Sequence, residues 1–269
     1  MVAMDMMPNI EGFTEYDIPT DWHANREPGL SAMIRLKDEI EWIRPCLDSI
    51  VGWFDEIVIC LQNCTDGTDE VVREYAAAYD HIAVYDYPFD SHPNGPGHDA
   101  HPVDSVYDRA YFYNWSLAKT TRTHVAKWDG DMVAMDRLGD TVRELISRFD
   151  IVRCFGVDIC GAELQMSQHQ HTANEPRFFR VTPDTYYRQG PYCEVFTGHH
   201  FNGYNIAWPT YLHFKWAKDI ESASKAWPDN WRDIEHFQRI YANKAKPLEL
   251  YTGEMPSCLL AYQDDAGPE

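Results

Sequence analysis

The sequence predicts an α/β protein built on a mostly parallel sheet with helices on both faces, and three observations carry that prediction. Apolar, β-branched runs of strand length alternate with segments whose apolar residues recur at helical spacing. Polar turns rich in Asp, Asn, Gly and Pro close most of these runs. A chain of 269 residues is also long enough to bury one substantial core.

The first 28 residues show no clean periodicity and read as an irregular extension. "SAMIRL", Ser31 to Leu36, reads as a short buried strand. In "EWIRPCLDSIVGWF" the residues Ile43, Leu47, Ile50 and Phe54 fall at helical spacing. Pro45 sets the start of that helix close to itself, because its ring is tolerated only in a first turn. "EIVICL", Glu56 to Leu61, is a second strand closed by the polar turn "QNCTDGT". "DEVVREYAAAY" resumes a helical pattern that Asp66 or Thr68 is able to cap, and "HIAVYDY" is a third strand.

From Pro88 to Ser105 the composition shifts to Pro, Gly, His and Asp. A stretch this long without periodicity reads as a functional or mobile loop. "VYDRAYFYNWSLAKT" is helical by its Val106, Ala110, Tyr113 and Leu117 spacing and leads into the strand "HVAKWDGD". "TVRELISRF" follows as a helix and "IVRCFGV" as a strand. Beyond Gly161 the regularity weakens: "ELQMSQHQHTANEP" reads as a loop, "RFFRVT" as a strand and "GPYCEVFTGHHFNGYN" as irregular. "TYLHFKW" reads as a strand and "NWRDIEHFQRIYAN" as a final helix.

A net charge of -20 argues against long-range attraction to nucleic acid or an anionic membrane, so an anionic substrate requires a local cation. Acids stand near the N-terminus where a signal peptide carries basic residues, and no apolar run reaches the length of a membrane span. The expected location is cytoplasmic. Seven cysteines without a C-x-x-C pair fit neither a disulfide framework nor a zinc knuckle, and read as reduced, mostly buried thiols.

In open α/β sheets ligands gather beyond the carboxyl ends of the strands. Leu36, Leu61, Tyr87 and Asp129 close their strands, which places the turns that follow them around one crevice. There the chain reads Asp129-Gly130-Asp131, its only Asp-x-Asp. Side chains at i and i+2 of a strand share a face, so the two acids are expected to converge. At about 5 Å and an effective dielectric near 20 their repulsion is on the order of 3 kcal/mol. Hard carboxylate oxygens suit Mg²⁺ or Mn²⁺, which would offset that repulsion and complete its shell with water and substrate phosphates. A solvated turn in an acidic chain is the plainer alternative.

"RLKDEIEWIRPCLDSI", "DEIVICLQNCTDGTDEVV", "YNWSLAKT" and "WDGD", in that order, resemble the successive signatures of family 2 glycosyltransferases with the GT-A fold. The resemblance covers about Ser31 to Asp136. It implies one GT-A-like domain with a nucleotide-sugar-binding half over residues 29–136, an irregular acceptor-binding half over 137–250 and a tail over 251–269. It implies an inverting, metal-dependent transfer from a nucleotide-diphosphate sugar to a glycan or other hydroxyl-bearing acceptor. Asp129 would then meet the ribose or sugar, with Asp131 on the metal beside it. The first strand-to-helix turn, with Arg35 and Lys37, would lie beside the nucleotide, and Asn114 matches the Asn of the helix before the D-x-D strand. Where family members commonly place a base-binding Asp after the second strand this chain has Leu61, which leaves Gln62 and Asp66 as nearby polar candidates.

The resemblance also implies a carboxylate base downstream, with Glu194 in "GPYCEVF" the first choice and Asp158 in "FGVDICG" the second. Either acid is equally able to serve as ion-pair partner to Arg177 or Arg180. "TYLHFKWAKD" resembles the segment that carries a late metal- or diphosphate-binding histidine, which makes His213 a candidate ligand and Lys215 a phosphate contact. A core role for His213 is the plainer reading. His169, His171, His199 and His200 read as loop histidines near an acceptor, and the many late aromatics as core residues. The competing functions are a nucleotidyltransferase, a non-catalytic sugar or nucleotide binding module, and a hydrolase using the histidine clusters. "MIRLKDE" lacks the glycine-rich phosphate loop that the first of these needs.

Overall fold

A computed structural model of the protein describes residues 6–95, 97–160, 165–171, 175–198, 202–216 and 248–260. In chain order the strands and helices are β1 (Met6–Met7), β2 (Ile18–Pro19), β3 (Glu27–Leu36), α1 (Ile43–Ile50), β4 (Glu56–Leu61), α2 (Thr68–Ala78), β5 (Ile82–Asp86) and α3 (Arg109–Ala118). They continue with β6 (Arg122–Asp129), β7 (Met132–Ala134), α4 (Leu138–Ile146), β8 (Ile151–Cys154), β9 (Val157–Cys160), β10 (Gln165–His171) and β11 (Glu175–Arg180). The last are β12 (Tyr186–Gln189), β13 (Glu194–Thr197), β14 (Gly203–Asn205), β15 (Tyr211–Trp216) and β16 (Leu248–Leu250).

The central sheet has seven strands in the order β14-β8-β11-β6-β3-β4-β5. β5, β4, β3 and β6 pair in parallel. β11 enters antiparallel to both β6 and β8, and β14 is parallel to β8. β11 therefore runs against the other six strands. Along β3, Leu30, Ala32, Ile34 and Leu36 pack with α1, α2 and α4 on one face, whereas Met33 packs with α3 residues on the other. Near-continuous apolar strands such as β4 follow from this burial on both faces.

A second sheet, β16-β10-β9-β15-β7, grows from the chain just after Asp131. Its core joins Val133, Ile159, Leu212 and Phe214 to Leu259. Trp42 stacks on Phe214 at 3.7 Å and 11° and ties this sheet to the start of α1.

Several local readings are corrected. The N-terminal extension is anchored: Ile18 joins the core, and Ile10 N–H donates to the Asp104 carbonyl at 3.1 Å. "SQHQH" forms part of β10, because strand pairing with β9 overrides a polar composition. "YYRQGPYCEVFT" is a β12–β13 hairpin instead of an irregular run. The final helix expected over residues 230–243 lies outside the described residues, as do His199, His200 and the side chains of His169 and His171.

Candidate active site

The carboxyl ends of β3, β4 and β6 form one rim, and the reversed direction of β11 brings Glu175 and Arg177 to the same rim from the far half of the chain. Asp129 is the last residue of β6 and lies directly opposite Arg35 of β3. Its two carboxylate oxygens are taken separately. Arg35 Nη2 donates to Oδ1 at 2.9 Å and Arg177 Nη1 to Oδ2 at 2.7 Å. Burial pushes the Asp129 carboxyl up, but Arg177, Lys127 and Arg35 outweigh it and hold the group well below the usual carboxylate range. The Arg35 guanidinium in turn lies over the Tyr113 ring of α3 at 3.8 Å.

Asp131 lies just past the end of the strand, which closes at Asp129, and the charge of His213 acts on both acids. Close approach favours glycine at the turn between them: a Cβ on Gly130 would stand 2.2 Å from Leu36 Cδ2, which would have to shift. The Asp131 carboxylate meets His213 of β15, with Oδ1 3.3 Å from Nε2. His213 Nδ1 is 2.9 Å from Asp158 Oδ1 of the neighbouring β9. Burial disfavours the imidazolium, yet the two carboxylates raise its pKa to about 10.

This donor set fits a hard divalent cation on one side of the D-G-D turn. Asp131 offers oxygen, and His213 would offer a ring nitrogen once a cation displaced its proton, with the opposite nitrogen held by a carboxylate, the arrangement that orients an imidazole toward a metal. Asp129 fits less directly, since each of its oxygens already accepts from a guanidinium. Among the described residues no group of three or more His, Cys, Asp or Glu side chains is arranged to hold a metal alone. Mg²⁺ and Mn²⁺ sites with one or two protein ligands draw the rest of the shell from water and phosphate.

Glu194, the first residue of β13 in the β12–β13 hairpin, lies between Lys127 Nζ, 3.8 Å from Oε1, and Arg109 Nε, 3.7 Å from Oε2. Burial pushes its carboxyl up, but Lys127 and Arg109 hold it below its ordinary value. Asn114 of α3 fixes this hairpin: its Nδ2 donates to the Tyr187 carbonyl at 2.7 Å and its Oδ1 accepts from Tyr187 N–H at 2.7 Å. Gln62 is buried, and its Nε2 donates to the Phe89 carbonyl and to Ser91 Oγ, both at 2.8 Å, so its amide donors tie down the Pro-Gly-His loop. The N-cap of α2 is Gly67 instead of Asp66 or Thr68; Asp66, one residue earlier, accepts from Thr68 N–H and from Ile40 N–H, both at 3.0 Å. Lys37 pairs with Asp90 in the open. Lys215 falls within β15, and its side chain lies outside the described residues.

At the ends of β4 and β5 a cleft of about 260 Å³ is lined by Leu61, Asn63, Cys64, Asp69, Asp86 and Tyr87. It occupies the position where a nucleobase was expected, with Asn63, Asp69 and Asp86 as its polar groups. Glu175, Arg109 and the partnership of Arg177 with Asp129 were not anticipated. The signal for Arg177 is a cation followed by Phe178 and Phe179 in a strand, but its neighbour depends on strand direction, which the sequence does not encode locally.

A mostly parallel sheet with one reversed strand, and a D-x-D turn leading into a smaller second sheet, defines a GT-A-like fold. The chain is similar to family 2-like glycosyltransferases of that fold: residues 10–132 match the family described as "Beta-1,4-N-acetylgalactosaminyltransferase (CgtA)". No curated protein matches significantly. Among solved structures, TarS 1-349 from S. aureus in complex with UDP-GlcNAc aligns at 14% identity with a TM-score of 0.50, over 82% of this chain and 68% of that one. Another TarS 1-349 structure aligns at 13% identity and a TM-score of 0.47 over 69% of this chain, and the match spans only 60% of its length. The Pyrobaculum calidifontis mannosyltransferase PcManGT, in complex with GDP-Man and Mn²⁺, aligns at 17% identity and a TM-score of 0.35 over 51% of this chain and 36% of that one. Among the described residues no helix is long and apolar enough to cross a membrane.

Proposed function

We propose that the protein is a metal-dependent glycosyltransferase that moves a sugar from a nucleotide diphosphate to an acceptor hydroxyl with inversion. The observation that carries this reading is the Asp131–His213–Asp158 chain beside the arginine-clamped Asp129, all at the ligand-binding rim of a GT-A-like sheet. Asp131 and His213 would hold Mn²⁺ or Mg²⁺. When bound, that ion supplies positive charge against the departing diphosphate. Asp129 keeps lone pairs beyond the two used by Arg35 and Arg177, and these accept from ribose or sugar hydroxyls. Its orientation is fixed before the donor arrives, so little ordering cost remains at binding. The cleft between Asn63, Asp69 and Asp86 receives the base.

The family match and the UDP-GlcNAc complex of TarS support UDP-N-acetylhexosamines as the first donors to test. Turnover of these donors is measured with and without Mn²⁺ on wild type and on Asp131→Ala. Loss of turnover in the variant and on chelation is expected. Equal turnover by the two proteins ends the reading.

A further inference from the structure

We propose that Glu175, at the start of β11, is the catalytic base that deprotonates the acceptor hydroxyl. This rests on the transferase reading above and assigns one of its roles. An inverting displacement needs a carboxylate at the rim that is ionised, close to the donor contacts, and open to a second substrate.

The carboxylates gathered around the D-G-D turn are separated by what holds them. Asp129 has both oxygens on guanidiniums. Asp131 faces His213, and Asp158 is bound to the other nitrogen of that ring with its side chain only 15% exposed. The Glu194 side chain is 6% exposed, with Oε1 on Lys127 and Oε2 on Arg109, so little of it is open to a second substrate. Glu175 is 38% exposed. Both of its ion pairs, to Arg177 Nη2 at 3.1 Å and to Lys127 Nζ at 3.7 Å, use Oε2. One edge of the carboxylate is anchored by cations that keep it charged, and it stands beside the Arg177 that clamps Asp129.

The reversed strand explains why such a residue comes from outside the D-x-D half. β11 starts at the rim where the parallel strands end, so its first residue lies at that rim. In the step itself the acceptor O–H proton passes to a Glu175 oxygen as the acceptor oxygen bonds to the anomeric carbon. The bond from that carbon to the diphosphate oxygen breaks, and its electron pair leaves with the nucleotide diphosphate.

The test compares wild type, Glu175→Gln and Glu194→Gln in transfer from UDP-N-acetylhexosamines to a panel of glycan acceptors, with UDP binding measured by calorimetry on each protein. Expected is a loss in kcat of about 10²- to 10⁴-fold in Glu175→Gln, with donor KM and UDP affinity within about threefold of wild type. The acid limb of the kcat/KM profile should also vanish in this variant. Glu194→Gln should keep kcat within about tenfold. An active wild type whose Glu175→Gln variant keeps its kcat, or loses UDP affinity in step with kcat, overturns the assignment and leaves the transferase reading standing. A wild type that neither binds nor turns over any nucleotide sugar overturns both.

Discussion

Replacing Arg177 by Met tests whether the arginine clamp holds the rim together. The Arg177 side chain is 3% exposed, Nη1 is 2.7 Å from Asp129, Nη2 is 3.1 Å from Glu175, and the guanidinium lies 5.5 Å from the Tyr211 ring centre. At charge separations near 4 Å and an effective dielectric of 20, each ion pair is worth about 4 kcal/mol in Coulomb terms. Removing the arginine recovers several kcal/mol of its own desolvation cost, which offsets much of that sum. Asp129 still accepts from Arg35 and lies near Lys127, so it is not left wholly unpaired. The net loss is about 2–4 kcal/mol, which for a chain of this size lowers Tm by roughly 5–15 °C. Arg177→Lys restores the charge without the fork and should fall between the two. Thermal unfolding by calorimetry and circular dichroism reads the effect. An Arg177→Met protein melting within about 2 °C of wild type would refute the claim that this clamp organises the site.

Three other outcomes follow from the same geometry. Gly130→Ala forces a Cβ to 2.2 Å from the buried Leu36 Cδ2 and should cost about 1–3 kcal/mol, read as a lower urea midpoint at unchanged m-value. Asp158→Ala frees the second nitrogen of His213 and should weaken Mn²⁺ binding by about 10- to 100-fold in calorimetry, with Asp158→Asn recovering part of the loss. Glu194 has a lowered carboxyl pKa in the fold, so it contributes stability above its unfolded value of about 4.3, and that contribution is lost as pH falls through the folded value. Glu194→Gln should therefore unfold less steeply than wild type between about pH 5 and 3, and identical acid limbs would contradict the ion pairing.

How much of this was legible in the sequence depends on what fixed each element. β4 matches its predicted span, Glu56 to Leu61, because burial on both faces demands an unbroken apolar run that no helix period imitates. α1 begins two residues before Pro45, as the missing N–H of that residue requires. The β12–β13 hairpin was not legible: Tyr186–Gln189 and Glu194–Thr197 are four residues each, and a Gly-Pro pair between them masks so short an alternation. Gln62 Nε2 donates to the Phe89 carbonyl and Ser91 Oγ, and Asn114 bonds both backbone groups of Tyr187, neighbours that only the tertiary fold brings near.

The local charge arrangement then resolves a conflict between composition and chemistry. A chain with a net charge of -20 repels a nucleotide diphosphate at long range, so cations at the site must do what the surface does not. Arg35, Arg109 and Lys127 stand 3.8, 5.7 and 5.8 Å from the ring centre of Tyr113, and Arg177 holds the other side of Asp129. Each is paired with Asp129, Glu175 or Glu194, so none is a bare charge awaiting a phosphate. Their effect is to keep Asp129, Glu175 and Glu194 ionised. On the proposed reading the cation that meets the diphosphate comes with the substrate, and Asp131 with His213 would receive it.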